Sequence, residues 1–158
     1  EGGFFMNNTM DDFATRPGVP NQFGLVQGEQ NAVAPGKRAL SAMAPTIVLE
    51  DGRVRLVTGA PGSGRIPTEI AQTMVYVLDY GMDPIDALRM PRIYPSPANP
   101  RVQLEHGFPP DLLADIRRMG YDPASESGSY ARLYMIVRSG DRWIAVSDPR
   151  HDGQPRGY

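Results

Sequence analysis

The sequence contains no cysteine. That absence removes disulfide frameworks, thiolate metal sites and thiol nucleophiles together, and it leaves the redox compartment open. Histidine is nearly as scarce, with only His106 and His151. Neither stands at ligand spacing from a carboxylate cluster, so both read as surface or hydrogen-bonded structural residues, and neither a metal nor any other cofactor is expected. Charge of one sign is also lacking: 16 Lys and Arg face 18 Asp and Glu, a formal net charge of −2 without long runs. With no basic stripe or tail, nucleic acid and anionic membrane surfaces are poor partners. No apolar run approaches the roughly 20 residues of a membrane span. There is no internal repeat.

What is present is a chain of 158 residues, 41% hydrophobic, enough for a single domain over 1–158 with a sizeable core. Glycine (17) and proline (16) are plentiful and imply many turns. The opening, "EGGFFMNNTMDDF", starts abruptly in what reads as a short buried strand, Gly3–Asn7, and without an initiator Met suggests a processed or truncated polypeptide. Residues 14–38 are rich in Gly and Pro and lack periodicity, the pattern of a long ordered loop or lid. Two β-rich runs, Thr46–Glu50 and Arg53–Thr58, flank Asp51-Gly52, a strong hairpin signal. In "PTEIAQTMVYVLDYG" Ile70, Met74, Val77 and Leu78 recur at helical spacing, with Ala71 and Val75 adjacent and Gly81 as the stop. "DPIDALRMP" predicts a short helix with Asp83 as N-cap and Pro84 at its first position. "PPDLLADIRRMG" predicts another, with Leu112, Leu113 and Ile116 inward and Gly120 as its cap. "RLYMIVRSGDRWIAVSDPR" predicts a second hairpin around Ser139-Gly140-Asp141. The sum is an α+β fold, antiparallel sheet with helices layered on it.

The chemistry-bearing stretch is "GAPGSGRIPT", Gly59–Thr68, a strand-to-helix elbow with three readings. A phosphate loop is weakly supported, because no Lys follows the glycines and their spacing is not that of a dinucleotide fingerprint. An oxyanion site asks only for adjacent backbone N–H groups in an open turn near a helix N-terminus. A turn that merely needs positive φ is the commonest use of clustered glycine. The elbow alone does not decide. In "NNTMDDF" the paired aspartates read as a cap or solvated turn, or as a carboxylate receiving a substrate ammonium. "SDPRHDG" reads as a turn stitched by local Asp and Arg pairs. Ser63 lacks the Gly-x-Ser-x-Gly setting and an evident base, so serine catalysis has no support.

The segments "NNTMDDF", "PGVPNQFGLV", "NAVAPGKRALSAMAPTIV", "TGAPGSGRI" and "SDPRHDG…GY" resemble, in order and interval, the small subunit of the γ-glutamyltranspeptidase family across essentially the whole chain. The resemblance implies part of an N-terminal nucleophile hydrolase fold, a four-layer αββα sandwich, from a precursor that cuts itself. It also implies a new N-terminal Thr that attacks a γ-glutamyl carbonyl, with its own α-amine as base, to give an acyl-enzyme. By the same resemblance Asp12 receives the substrate α-ammonium and Ser41 holds the α-carboxylate. The N–H groups of Gly62 and Ser63 form the oxyanion hole, and Phe23 is the aromatic of a lid, Pro17–Gly28. Implied partners are a γ-glutamyl compound such as glutathione, the large subunit, and the remainder of the small subunit. The implied compartment is periplasmic or extracellular.

The chain departs from the family pattern at several points. The nucleophilic Thr lies upstream of the Asn-Asn block, before Glu1, so the polypeptide by itself is expected to be inactive, a fragment of the C-terminal portion. Thr9 stands in place of a Glu or Gln that assists the ammonium, and Ala42 in place of a second serine. Each lost hydrogen bond to a charged group is worth roughly 1.5–3 kcal/mol. Ser63 replaces a glycine while keeping its N–H. The expected enzyme therefore transfers or hydrolyses γ-glutamyl or related acyl groups. The alternative is a non-catalytic amino-acid-binding or scaffold protein of the same fold. Separated from its partner strands, the chain is expected to self-associate.

Overall fold

Two hairpins signalled by Asp-Gly and Gly-Asp pairs assemble into the main sheet of this computed structural model, which describes residues 3, 6–21, 24–95, 99–125 and 130–157. The chain divides into two units, Glu1–Ala42 and Met43–Tyr158, each taken by itself.

In the second unit, β1 (Thr46–Glu50) and β2 (Arg53–Gly59) pair antiparallel around Asp51-Gly52. Both turn residues have positive φ, 51° and 74°, the demand of the tightest hairpin turn and the reason an Asp-Gly pair suits it. β6 (Tyr134–Ser139) and β7 (Arg142–Ser147) form the second hairpin, with Gly140 at φ 61°. β2 pairs with β6, so the four-stranded order is β1-β2-β6-β7.

Period-two alternation divides this sheet into unlike faces. Leu56, Thr58, Met135, Val137 and Val146 are buried on one. The core there joins Leu56, Ile66, Ile70, Val77, Leu88, Leu133 and Met135, drawn from strands and from two helices. These are α1 (Ile66–Leu78) and α2 (Pro84–Arg89). On the other face Ile47, Ile136 and Trp143 are exposed. The register sets Ile47 opposite Val57, Val57 opposite Ile136 and Ile136 opposite Ala145, a continuous apolar row.

α2 begins as its sequence predicts, with the Asp83 carboxylate accepting from the Ile85 N–H at 2.9 Å. α1 differs from expectation in part. Its buried stripe is Ile66, Glu69, Ile70, Thr73 and Val77, whereas Ala71, Val75 and Leu78 are exposed. Ile70 and Val77 are in the core and Met74 packs against it, as the apolar spacing predicts; Leu78 is not, and the helix adds a buried carboxylate, Glu69, because Arg92 meets it there. α3 (Pro110–Arg118) buries Ile116 and half-buries Leu113, but Leu112 is exposed rather than inward. It lies by a small sheet of β3 (Ile93–Pro95), β4 (Val102–Leu104) and β5 (Pro123–Ser125). The β4–β5 pair is parallel. Strands of three residues carry no readable periodicity, and sequence reasoning does not find them.

The first unit is mostly irregular, as residues 14–38 imply. It holds single-turn 3-10 helices at Thr9–Asp12 and Glu29–Asn31, with lone bridges Ala14 to Ala32 and Pro20 to Val26. The strand expected at Gly3–Asn7 falls partly outside the described residues (Phe4 and Phe5). Met6 and Asn7 are exposed and form no strand.

Candidate functional site

Between the end of β2 at Gly59 and the start of α1 at Ile66, the elbow is shaped by close approach. Gly62 has φ 150°, and a Cβ there would lie 2.5 Å from the Ala131 Cβ and 2.7 Å from its Cα. Only glycine fits. A Cβ on Gly64 would meet the Tyr94 hydroxyl oxygen at 3.0 Å. Ser63, between them, holds φ 54°, a left-handed conformation that costs an L-residue about 1–2 kcal/mol. Arg65 then locks the turn. Its guanidinium lies 4.7 Å from the Tyr94 ring centroid and 4.6 Å from that of Tyr130, and Nη2 donates to Gln103 Oε1 at 2.7 Å.

The elbow's carbonyls are claimed. Arg65 N–H donates to Gly62 O and Arg132 N–H to Pro61 O, each at 3.2 Å, and Ile66 N–H donates to Ser63 O. No acceptor among the described residues takes the Gly62 or Ser63 N–H. The two adjacent amides stand one 3-10 turn before the 13-residue helix α1, and a helix N-terminus is where backbone donors and the helix dipole favour negative charge.

Behind the elbow lies a buried ion network. The Arg92 guanidinium, 1% exposed, donates from Nη1 to Glu69 Oε2 (3.1 Å) and the Ala131 carbonyl (2.6 Å). From Nη2 it donates to the Leu88 carbonyl (3.1 Å) and Asp148 Oδ2 (2.7 Å). Asp148 also accepts from the backbone N–H of Leu133 and Arg150, each at 3.0 Å, and from Arg150 Nη1 at 3.1 Å. Arg150 closes on Glu105 through Nε (2.6 Å) and Nη2 (2.5 Å). Burial pushes the Glu69 carboxyl above its ordinary range, only partly offset by the Ala131 N–H and the Arg92 charge. Burial would raise Asp148 too, but the Arg150 and Leu133 N–H groups and the Arg92 charge outweigh it and hold that carboxyl low. Ala131, the residue Gly62 packs against, is thereby fixed. The turn at "SDPRHDG" is local in its Asp148–Arg150 pair, as its sequence suggests, yet Asp148 is buried and the pair reaches Arg92 and Glu105 far along the chain.

In the first unit, the Thr9–Asp12 turn carries Thr9 exposed and Asp12 half-buried, while Ser41 is exposed and Ala42 half-buried. One side chain that sequence reasoning missed ties these segments. Asn31 Nδ2 donates to the Asp12 carbonyl at 2.7 Å, and Asn31 Oδ1 accepts from the Leu40 N–H at 2.9 Å. Nδ2 also donates to Gln27 Oε1. Phe23 lies outside the described residues. No group of three or more His, Asp or Glu that could hold a metal ion occurs among the described residues. None of their helices is long and apolar enough to cross a membrane. An open depression of about 440 Å³ at the hairpin tips, lined by Arg53, Arg55, Arg138, Glu50, Asp51 and Gly140, involves none of these groups.

The γ-glutamyltranspeptidase family model matches residues 1–158. The chain belongs to the γ-glutamyltranspeptidase family. An Escherichia coli glutathione hydrolase proenzyme is 41% identical over 159 residues, all of this chain but 27% of the relative. The chain thus spans about a quarter of the length of the curated relatives it matches. A solved Helicobacter pylori γ-glutamyltranspeptidase variant superposes with a TM-score of 0.85 at 36% identity, over 95% of this chain and 83% of the other. A Bacillus halodurans cephalosporin acylase superposes at 0.71 and 27% identity, over 81% of this chain and 25% of that one. The family fold is therefore the α+β fold of N-terminal nucleophile hydrolases, in which this chain supplies an antiparallel sheet with flanking helices.

Proposed function

We propose that residues 1–158 are one domain, the C-terminal portion of the small subunit of an enzyme that transfers or hydrolyses γ-glutamyl or related acyl groups. The observation that carries this reading is the elbow, where a turn that admits only glycine at position 62 leaves two neighbouring amides without an acceptor among the described residues, in a chain of this family. The nucleophile is an N-terminal Thr outside these residues. Its hydroxyl adds to the acyl carbonyl and its α-amine takes the proton. Negative charge on the carbonyl oxygen is met by the Gly62 and Ser63 N–H groups. Collapse expels the leaving amine, which takes the proton back, and leaves an ester. Water or an amino acid then attacks that ester over the same amides. Asp12, with Thr9 beside it, receives the donor's α-ammonium, Ser41 with Ala42 faces its carboxylate, and Phe23 belongs to the lid.

Relatives named as glutathione hydrolases make glutathione the first donor to assay. Thr9 and Ala42, each short of a hydrogen-bonding group, favour a second reading in which another acyl group is preferred, in line with similarity to a cephalosporin acylase. Full-length, self-cleaved protein should release glutamate from glutathione, and Asp12→Asn should raise KM by about tenfold or more. Absence of any γ-glutamyl turnover in correctly cleaved protein overturns the first reading, and turnover of a non-glutamyl acyl amide alone establishes the second. The large subunit and the rest of the small subunit are the proposed partners. The isolated chain, without the Thr, should turn over neither substrate.

A further inference from the structure

We propose that Asn31 is a positioning residue that sets the register between the two segments gripping the donor's amino-acid head group. This rests on the reading in which Asp12 meets the ammonium and Ser41 the carboxylate. An ammonium and a carboxylate on one α-carbon are separated by a fixed, short span, so their receptors must keep a fixed separation too. Asp12 sits on a single 3-10 turn and Ser41 on irregular chain. No helix or sheet ladder joins them. A link between them is the Asn31 amide, whose Nδ2 donates to the Asp12 carbonyl while its Oδ1 accepts from the N–H of Leu40, the residue before Ser41.

The Asn31 backbone is itself held. Its N–H donates to the Gly28 carbonyl at 3.1 Å, and its carbonyl accepts from the Ala14 N–H at 2.9 Å, two residues beyond Asp12. An amide is the side chain this task requires, since it offers a donor and an acceptor on one rigid plane. Aspartate is of the same size but offers no donor, and its charge would face the Asp12 carbonyl. Serine is too short to span both groups.

The test uses full-length, self-cleaved protein and a γ-glutamyl anilide, with active sites counted by the burst of released aniline. Asn31→Asp and Asn31→Ser should each raise KM by about tenfold, the weight of one hydrogen bond to a charged group, with kcat per active site within about threefold. On an Asp12→Asn background neither change should raise KM much further, because the carboxylate being positioned is gone; such non-additivity marks residues acting as one unit. A merely structural Asn31 would lower the count of active sites and leave KM in place, which overturns the proposal. So would a KM increase that multiplies fully with that of Asp12→Asn. If Asp12→Asn itself leaves KM unchanged, the head-group reading fails first. If Asp12→Asn raises KM and both Asn31 variants do not, only the positioning role fails. Should Asn31→Asp not self-cleave, Asn31→Ser, which adds no charge, carries the comparison.

Discussion

At the scale of single residues, the elbow contains its own contrast. Ser63 holds a left-handed φ between two glycines, and its assigned contribution is a backbone N–H, which glycine also has. Ser63→Gly relieves about 1–2 kcal/mol of strain, offset by roughly 0.5–1 kcal/mol from the added freedom of the unfolded chain. Thermal unfolding should show stability unchanged or up to about 1.5 kcal/mol higher, with kcat preserved; a fall in kcat would mean that the hydroxyl itself is used. Gly62→Ala should behave in the opposite way. Its methyl would enter the space of Ala131, displacing an oxyanion donor, and kcat/KM should drop about a hundredfold or more. Turnover that survives this change would remove the elbow from the chemistry. The glycines are legible in the sequence as a turn; the oxyanion role proposed for them rests on family resemblance. Asn31 was not legible, because its partners lie 19 and 9 residues away and leave no local pattern.

At the scale of elements, the hairpins and α2 were readable because their signals are local. Asp51 and Gly52 must adopt positive φ, and Asp83 must cap its own helix two residues on. The apolar spacing of α1 finds Ile70, Met74 and Val77 but not the inward Glu69 and Thr73, which count as outward by polarity, whereas Arg92, 23 residues further on, makes Glu69 an inward residue. Removing that arginine exposes the dependence. Arg92→Met should cost about 3–5 kcal/mol by denaturant titration, since it leaves the buried Glu69 without its cation and takes one of two cations from Asp148. The pH dependence has a definite sign. Asp148, held below its ordinary 3.8, stabilises the fold above about that pH, and the contribution is lost as pH falls through the depressed value. Glu69 acts oppositely, contributing most below its ordinary 4.5 and losing that contribution as pH rises through its raised value. The stability gap between wild type and Asp148→Asn should therefore be widest at neutral pH and narrow below about pH 4. A gap independent of pH would show that the Asp148 charge is not what matters.

At the scale of the molecule, one face of the four-stranded sheet packs on helices while the other carries exposed apolar residues among the described ones. Ile47 and Trp143 are 64% and 54% exposed, and a continuous apolar row crosses all four strands beside them. Expressed alone, residues 1–158 should therefore associate with themselves, visible as a scattering mass that grows with concentration, and Ile136→Lys should reduce that growth. A monomer at all concentrations would contradict it. The buried arginine carries a further implication for how the chain is made. Asp148 follows Arg92 by 56 residues, so a growing polypeptide has α1, α2 and a desolvation-averse cation long before it has the second anion. Until that anion emerges from the ribosome, the helices have every reason to stay open to water. Closure of the main core is therefore expected to wait for Asp148, 56 residues after the arginine it neutralises.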